Sequence, residues 1–125
     1  MADGKFGTAI NCMDGRVQIP VIEWMKENFG LDYVDMVTEP GPEGKISAGD
    51  AATIASIKKR VEISVEKHGS EIVIIVAHHD CAGNPVSKVA HEEQLVESIR
   101  VVKSWNLPVR IAGVWLDENW QVSEL

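Results

Sequence analysis

Hydrophobic and polar positions along the chain alternate between a strand-like and a helix-like pattern. Short apolar or β-branched runs predict strands over residues 6–10, 33–38, 71–77 and 109–116, and a short edge strand over 120–122. Between them, apolar residues recur at helical spacing and predict amphipathic helices over about 19–29, 47–68 and 89–105. This order is typical of an α/β fold with a mostly parallel central sheet of four to five strands flanked by helices. We therefore expect residues 1–125 to form a single domain.

The longest predicted helix runs from Ser47 to His68. Ser47 and Asp50 compete as its N-cap, and Gly69 is expected to end it. The preceding segment, Glu39–Pro42, has two prolines around a glycine, which disfavours both helix and strand. We therefore expect a loop there, directly after the second strand.

The longest uninterrupted apolar run, residues 72–77, has six residues. It is apolar on both faces, which indicates a central strand of a parallel sheet. A membrane-spanning helix needs about 20 such residues, so no span is expected. The opening sequence MADGKFG lacks the apolar core of a secretory signal, and this favours a cytoplasmic location.

Composition and net charge argue against two classes of protein, disordered proteins and nucleic-acid-binding proteins. Hydrophobic residues make up 45% of the chain and charged residues 25%, a balance that excludes a mainly disordered protein. The net charge is −7, from 12 basic and 19 acidic residues. Because no basic stripe is available to contact phosphates, nucleic acid is not an expected partner.

Two short clusters carry candidate chemistry. Cys12 lies just after the first predicted strand, and His78 and Cys81 follow the third. If these strands are neighbours, their carboxyl ends meet, and two thiolates and an imidazole form a zinc ligand set with one open position. A disulfide between the two cysteines is disfavoured in the cytoplasm. His79 is an alternative to His78 as the ligand.

Asp14 and Arg16 follow Cys12 by two and four residues. In extended backbone these three side chains point the same way. A guanidinium beside Asp14 keeps the carboxylate ionised and oriented, so that it can accept a hydrogen bond from a zinc-bound water. The other interpretation is an ordinary surface ion pair.

Together these motifs resemble the β-class carbonic anhydrases. The resemblance rests on Cys-x-Asp-x-Arg after the first strand and His-x-x-Cys after the third. It extends to SVEKHGSEIVIIVAHHDC, residues 64–81, and to VRIAGVWLDENWQVSEL, residues 109–125, and covers about residues 6–125. Each motif is short, but their order and their positions at strand ends make the combination specific.

The resemblance implies a function and assigns roles. Cys12, His78 and Cys81 would ligate Zn²⁺. The reaction would be the reversible hydration of carbon dioxide, a small-molecule substrate, to bicarbonate by a zinc-bound hydroxide. Asp14 would either accept a hydrogen bond from that hydroxide or close the site as a fourth ligand, and Arg16 would hold it in the first state. The family is dimeric or larger, so a homodimer or higher oligomer is expected.

The sequence also departs from the family pattern. Only 11 residues precede Cys12, so the family's N-terminal helical arm, which helps supply a pocket glutamine, is expected to be missing. Glu39 and Glu43 are expected near the pocket, where they would disfavour bicarbonate. Two alternatives therefore stay open: a hydrolase of a carbon dioxide analogue such as carbonyl sulfide, and a non-catalytic zinc-binding homologue. His91 is expected to be a solvated helix residue.

Overall fold

The computed structural model describes residues 2–125, which form one five-stranded sheet with helices on both faces. The strands are β1 (Phe6–Cys12), β2 (Tyr33–Glu39), β3 (Ile72–His78), β4 (Arg110–Leu116) and β5 (Val122–Glu124). The helices are α1 (Gln18–Phe29), α2 (Pro42–Ser47), α3 (Ala51–His68) and α4 (Lys88–Lys103). The predicted α/β class with a mostly parallel sheet is therefore confirmed.

The sheet order is β2-β1-β3-β4-β5, and only the β4–β5 pair within residues 2–125 is antiparallel. β1 and β3 are neighbours in parallel register, with Ala9 opposite Ile74. Their carboxyl ends consequently lie at the same edge of the sheet, which is the juxtaposition that the proposed ligand set requires.

β3 is buried on both faces, as its uninterrupted apolar run predicts. Ile74 and Val76 join the core cluster that contains Val21 and Met25 of α1. The odd-numbered residues of β3 belong to a second core cluster on the opposite face of the sheet, together with Ile57 and other residues of α3 and α4. Side chains alternate along a strand, so this two-sided burial follows from helices packing on both faces.

The predicted helix over residues 47–68 is wrong in its first part. The chain forms the short α2 over Pro42–Ser47 and then α3 from Ala51. Gly49 adopts a left-handed backbone (φ +77°) that interrupts the helix, and the Asp50 side chain accepts a hydrogen bond from the Thr53 amide at 3.2 Å. Because proline is compatible with a first helical turn, α2 begins at Pro42 inside the segment expected to be a loop.

The remaining differences are at the ends of elements, including α4, which ends at Lys103 instead of residue 105. β1 and β3 extend to Cys12 and His78, so both candidate ligands are the last residues of their strands. The edge strand lies at Val122–Glu124, two residues later than expected. No helix in residues 2–125 combines the length and apolar character needed to cross a bilayer.

Candidate metal centre and active site

Three side chains converge where β1 and β3 end. One donor atom each from Cys12, His78 and Cys81 lies within 4.8 Å of the other two, and the two Sγ atoms are 3.9 Å apart. All three residues are buried. Both cysteines are free thiols. Two sulfurs and an imidazole are a donor set that suits zinc.

The His78 ring is oriented by its neighbour. Its Nδ1 lies 2.7 Å from the His79 carbonyl oxygen, so we assign the proton to Nδ1, which donates to that carbonyl. The other nitrogen, Nε2, is buried and has no hydrogen-bond partner among residues 2–125. A buried acceptor without a partner is costly in a protein interior, and a bound cation would satisfy it. The His79 side chain is exposed and lies outside the cluster.

The two thiols differ in their pKa. Burial raises the pKa of Cys12, but the His78 ring, when it carries a second proton, and the backbone at Gly41 and Asp14 lower it to about 7. Burial and the adjacent Cys12 charge raise the pKa of Cys81 to about 12. One thiolate therefore forms readily and opposes the second, so a cation between them would stabilise both. Two observations therefore indicate that these residues suit a divalent metal: the two thiols oppose each other's ionisation, and the buried His78 Nε2 has no partner among residues 2–125.

The turn after Cys12 is built by side-chain hydrogen bonds. The buried Asn11 accepts from the Cys12 amide at 2.8 Å and donates to the Val17 carbonyl at 3.1 Å. Gln18 donates to the Cys12 carbonyl at 2.6 Å. Asp14 caps a single 3-10 turn over Gly15–Val17. The expectation that Asp14 and Arg16 continue in extended backbone is therefore wrong, although the turn still brings the two side chains together.

Asp14 and Arg16 form a close ion pair. Arg16 Nη2 donates to Asp14 Oδ2 at 2.7 Å, and Arg16 Nε lies 3.1 Å from Oδ1. The hydrogen bonds from Arg16 lower the pKa of Asp14 to about 2, against a weaker opposing effect of burial. The carboxylate is consequently ionised throughout the neutral range and can act only as a hydrogen-bond acceptor there.

Arg16 has two further partners that the sequence reasoning missed. Its Nη1 donates to Asp80 Oδ2 at 3.2 Å and its Nη2 to the Asp80 carbonyl at 3.1 Å. The guanidinium carbon also lies 4.7 Å from the centre of the Trp120 ring. Asp80 could have been suspected from its place between His78 and Cys81. The chain gives no local signal for Trp120, because it follows β4 by four residues and reaches the site only through the fold.

A small cleft opens beside the thiols. Its volume is about 230 Å³, and the residues lining it are Cys12, Met13, Asp14, Pro40, Ala82 and Gly83. Glu39 and Glu43 are near this cleft, as expected, since Glu39 is opposite Cys12 in the β1–β2 register and the Glu43 charge raises the pKa of Cys81, but neither lines it. Glu39 pairs with Arg60 of α3, and Glu43 is 1% exposed. Asp14 is the charged residue among those six.

His91 is buried, and the expectation of a solvated position is wrong. Its Nδ1 lies 2.7 Å from Glu43 Oε1, and both side chains are almost fully buried. The helical spacing carried a signal for this, because His91 is four residues before Leu95 and shares the buried face of α4 with Ser98 and Val102. The acceptor comes from α2, which the sequence reasoning had placed in a loop.

The chain matches a known protein family in sequence and known structures in fold. A protein-family model described as "Putative carbonic anhydrase" matches residues 2–125. No curated protein matches the chain in sequence. Among solved structures, the chain is similar to the β-carbonic anhydrase CafA of the fungal pathogen Aspergillus fumigatus, with TM-score 0.59 and 14% identity over 97% of this chain and 74% of that one.

A second solved structure agrees in fold. It belongs to a study of two tetrameric β-carbonic anhydrases from the filamentous ascomycete Sordaria macrospora. The TM-score is 0.56 with 13% identity, over 97% of this chain and 80% of that one. At this identity the likeness concerns the fold, in which the carboxyl ends of adjacent parallel strands meet at one edge.

Proposed function

This chain belongs to the carbonic anhydrase family that the matching family model describes, and on that premise we propose that it is a zinc-dependent lyase for the reversible hydration of carbon dioxide. The observation that carries the proposal is the buried Cys12–His78–Cys81 cluster beside the ionised Asp14. We take residues 1–125 as one catalytic domain of the β-carbonic anhydrase type.

Cys12, His78 and Cys81 would hold the metal. Zinc at this position would supply a Lewis acid that lowers the pKa of water to about 7. The protein supplies two sulfurs on neighbouring strand ends and an imidazole fixed by the His79 carbonyl. Three protein ligands leave a coordination position for a small molecule.

Asp14 is the residue proposed to act on the attacking water. It lines the cleft next to Cys12, and its carboxylate stays ionised at neutral pH. An Asp14 oxygen can therefore accept a hydrogen bond from the water and turn an oxygen lone pair toward the carbon of carbon dioxide. Positioning of this kind contributes to rate because the reacting atoms meet in a fixed geometry.

Arg16 is proposed to orient Asp14. It contacts both carboxylate oxygens, and its own position is fixed by Asp80 and by the face of Trp120. The guanidinium is thus held from three sides. This arrangement favours a carboxylate directed by its partner over one that turns freely.

The lining of the cleft agrees with an uncharged substrate. Met13, Pro40, Ala82 and Gly83 contribute apolar or backbone surface. Glu39 and Glu43 are paired with Arg60 and His91, which supports carbon dioxide as the first candidate. The altered loop after β2 keeps hydrolysis of carbonyl sulfide as the alternative, and the test below includes it.

Stopped-flow measurement of carbon dioxide hydration tests the proposal. We expect the zinc-loaded protein to accelerate the reaction and a chelator-treated sample to lose the acceleration. Zinc-loaded protein without any acceleration would contradict carbonic anhydrase activity. Turnover of carbonyl sulfide alone would support the hydrolase alternative, and turnover of neither substrate would support a non-catalytic zinc protein.

Assembly is a separate expectation. We propose a homodimer or larger oligomer, because β2 and β5 leave sheet edges that invite pairing or cover. Light scattering at micromolar concentration should give a mass of at least twice the 13.7 kDa of the chain. A monomer under these conditions would contradict it.

We also propose a cytoplasmic location, where the free thiols of Cys12 and Cys81 stay reduced.

A further inference from the structure

A buried polar network lies behind the segment that carries Cys81. Glu43 Oε1 accepts a hydrogen bond from Asn84 Nδ2 at 2.9 Å and lies 2.7 Å from His91 Nδ1. Asn84 also donates to Gln94 Oε1 at 2.6 Å. Asn84 is 9% exposed, and Glu43 and His91 are each 1% exposed. One carboxylate oxygen therefore ties α2, the segment after β3 and α4 together.

Three glycines allow this close packing. A Cβ on Gly41 would lie 2.5 Å from the Asn84 Cβ, and one on Gly44 would lie 2.8 Å from Asn84 Cγ. A Cβ on Gly83 would lie 2.7 Å from the Pro40 Cβ and 2.8 Å from the Pro40 carbonyl carbon. Larger residues would separate the two segments, so the backbone contact is a built feature of the fold.

The network is connected directly to the ligand segment. The backbone N–H of Asn84 donates a hydrogen bond to the Cys81 carbonyl oxygen at 3.3 Å and closes a turn over Cys81–Asn84. Gly83 and Pro40, which make the backbone contact, also line the cleft beside the thiols. A side chain that fixes Asn84 therefore fixes the turn from which Cys81 extends.

We propose that Glu43, Asn84 and His91 are positioning residues that hold Cys81 in place for metal binding. The inference rests on the proposed metal site, and none of the three residues belongs to the ligand set. The network acts through the backbone of the turn. Loss of Asn84 removes the donor to Glu43 and frees the turn, so the Cys81 sulfur no longer has a fixed distance to Cys12 and His78.

Asn84→Ala is the direct test, and Ser64→Ala is its matched control. Ser64 is also buried, and its hydroxyl lies 2.6 Å from polar oxygens of Thr8, Asp35 and Ser70, away from the metal site. Both substitutions remove a buried hydrogen-bonding side chain and should lower thermal stability. Only the first should change the site.

Two measurements separate positioning from stability. Zinc competition with a chelator, well below the melting temperature, should show an affinity lower by about 10- to 100-fold for Asn84→Ala, the usual effect of losing a residue that orients a ligand. Alkylation of the metal-free protein, followed by peptide mass analysis, should be faster at Cys81 in that variant. Ser64→Ala should match the parent in both measurements.

Glu43→Gln is the conservative variant within the same network. It conserves side-chain volume and an acceptor oxygen, so we expect zinc affinity closer to the parent than that of Asn84→Ala. The inference is overturned if Asn84→Ala retains parental zinc affinity and Cys81 reactivity, or if Ser64→Ala changes both equally. A parent that binds zinc without hydrating carbon dioxide would contradict the proposed function alone, because both measurements are independent of turnover.

Discussion

Cys81→Ser is expected to release zinc from the protein. The substitution exchanges one of three converging donors for a hydroxyl, which is a much poorer ligand for zinc, and leaves Cys12 and His78 as an incomplete set. Purified parent should contain about one zinc per chain, as the one cluster of three donors within residues 2–125 implies. Elemental analysis after dialysis should show little zinc in the variant.

His79→Ala is the matched control for this prediction. His79 is adjacent to His78 in sequence, but its side chain is exposed and only its backbone carbonyl contacts the His78 ring. Its removal should leave the zinc content at the parental level. Full zinc retention in Cys81→Ser, or zinc loss in His79→Ala, would contradict the assigned ligand set.

Arg16→Ala and Asp14→Asn are expected to retain zinc and lose most turnover. Neither residue belongs to the cluster of three donors. Arg16→Ala removes the guanidinium hydrogen bonds to Asp14 and keeps the one from the backbone amide of residue 16, and Asp14→Asn replaces the ionised carboxylate with a neutral amide. We expect carbon dioxide hydration to fall by about 100-fold in each, the size of effect that misplacing a reacting group produces.

A structural ion pair predicts a different result. Exposed pairs contribute about 0–1 kcal/mol to stability, so a purely structural role would produce a small decrease in melting temperature and nearly parental rates. Arg100→Ala is the matched control, because Arg100 and Glu97 form an exposed ion pair on α4. If Arg16→Ala behaves like Arg100→Ala in turnover, the proposed role of the Asp14–Arg16 pair is wrong.

The arrangement of strands and helices could be predicted because it depends on local patterns. The two-sided apolar run of β3 marks a central strand whatever surrounds it, and Gly30 and Gly69 end their helices in left-handed conformations. The division between α2 and α3 was not predicted. Ser47 and Asp50 are both good N-caps, and in the structure the left-handed Gly49 ends the preceding segment so that Asp50 caps α3, while α2 packs against α4.

The candidate ligands could also be expected from sequence, because parallel strands bring their carboxyl ends together when they are neighbours. What the sequence left open was whether β1 and β3 are adjacent, and which of two histidines faces the thiols. Adjacency is decided by the strand order. His78 is the last residue of β3 and its buried ring faces the cysteines, whereas His79 begins the following turn and its side chain is exposed.

The sequence by itself determined the alternating α/β pattern and the residue types of the candidate metal site, because both depend on short segments of the chain. The tertiary structure decided the surroundings of that site. Glu43 and His91 became a buried pair, and Asp80 and Trp120 became partners of Arg16, through contacts between distant segments. The physical reason is that the environment of a polar side chain depends on which elements pack against it, and hydrophobic periodicity gives no information about polar partners across the fold.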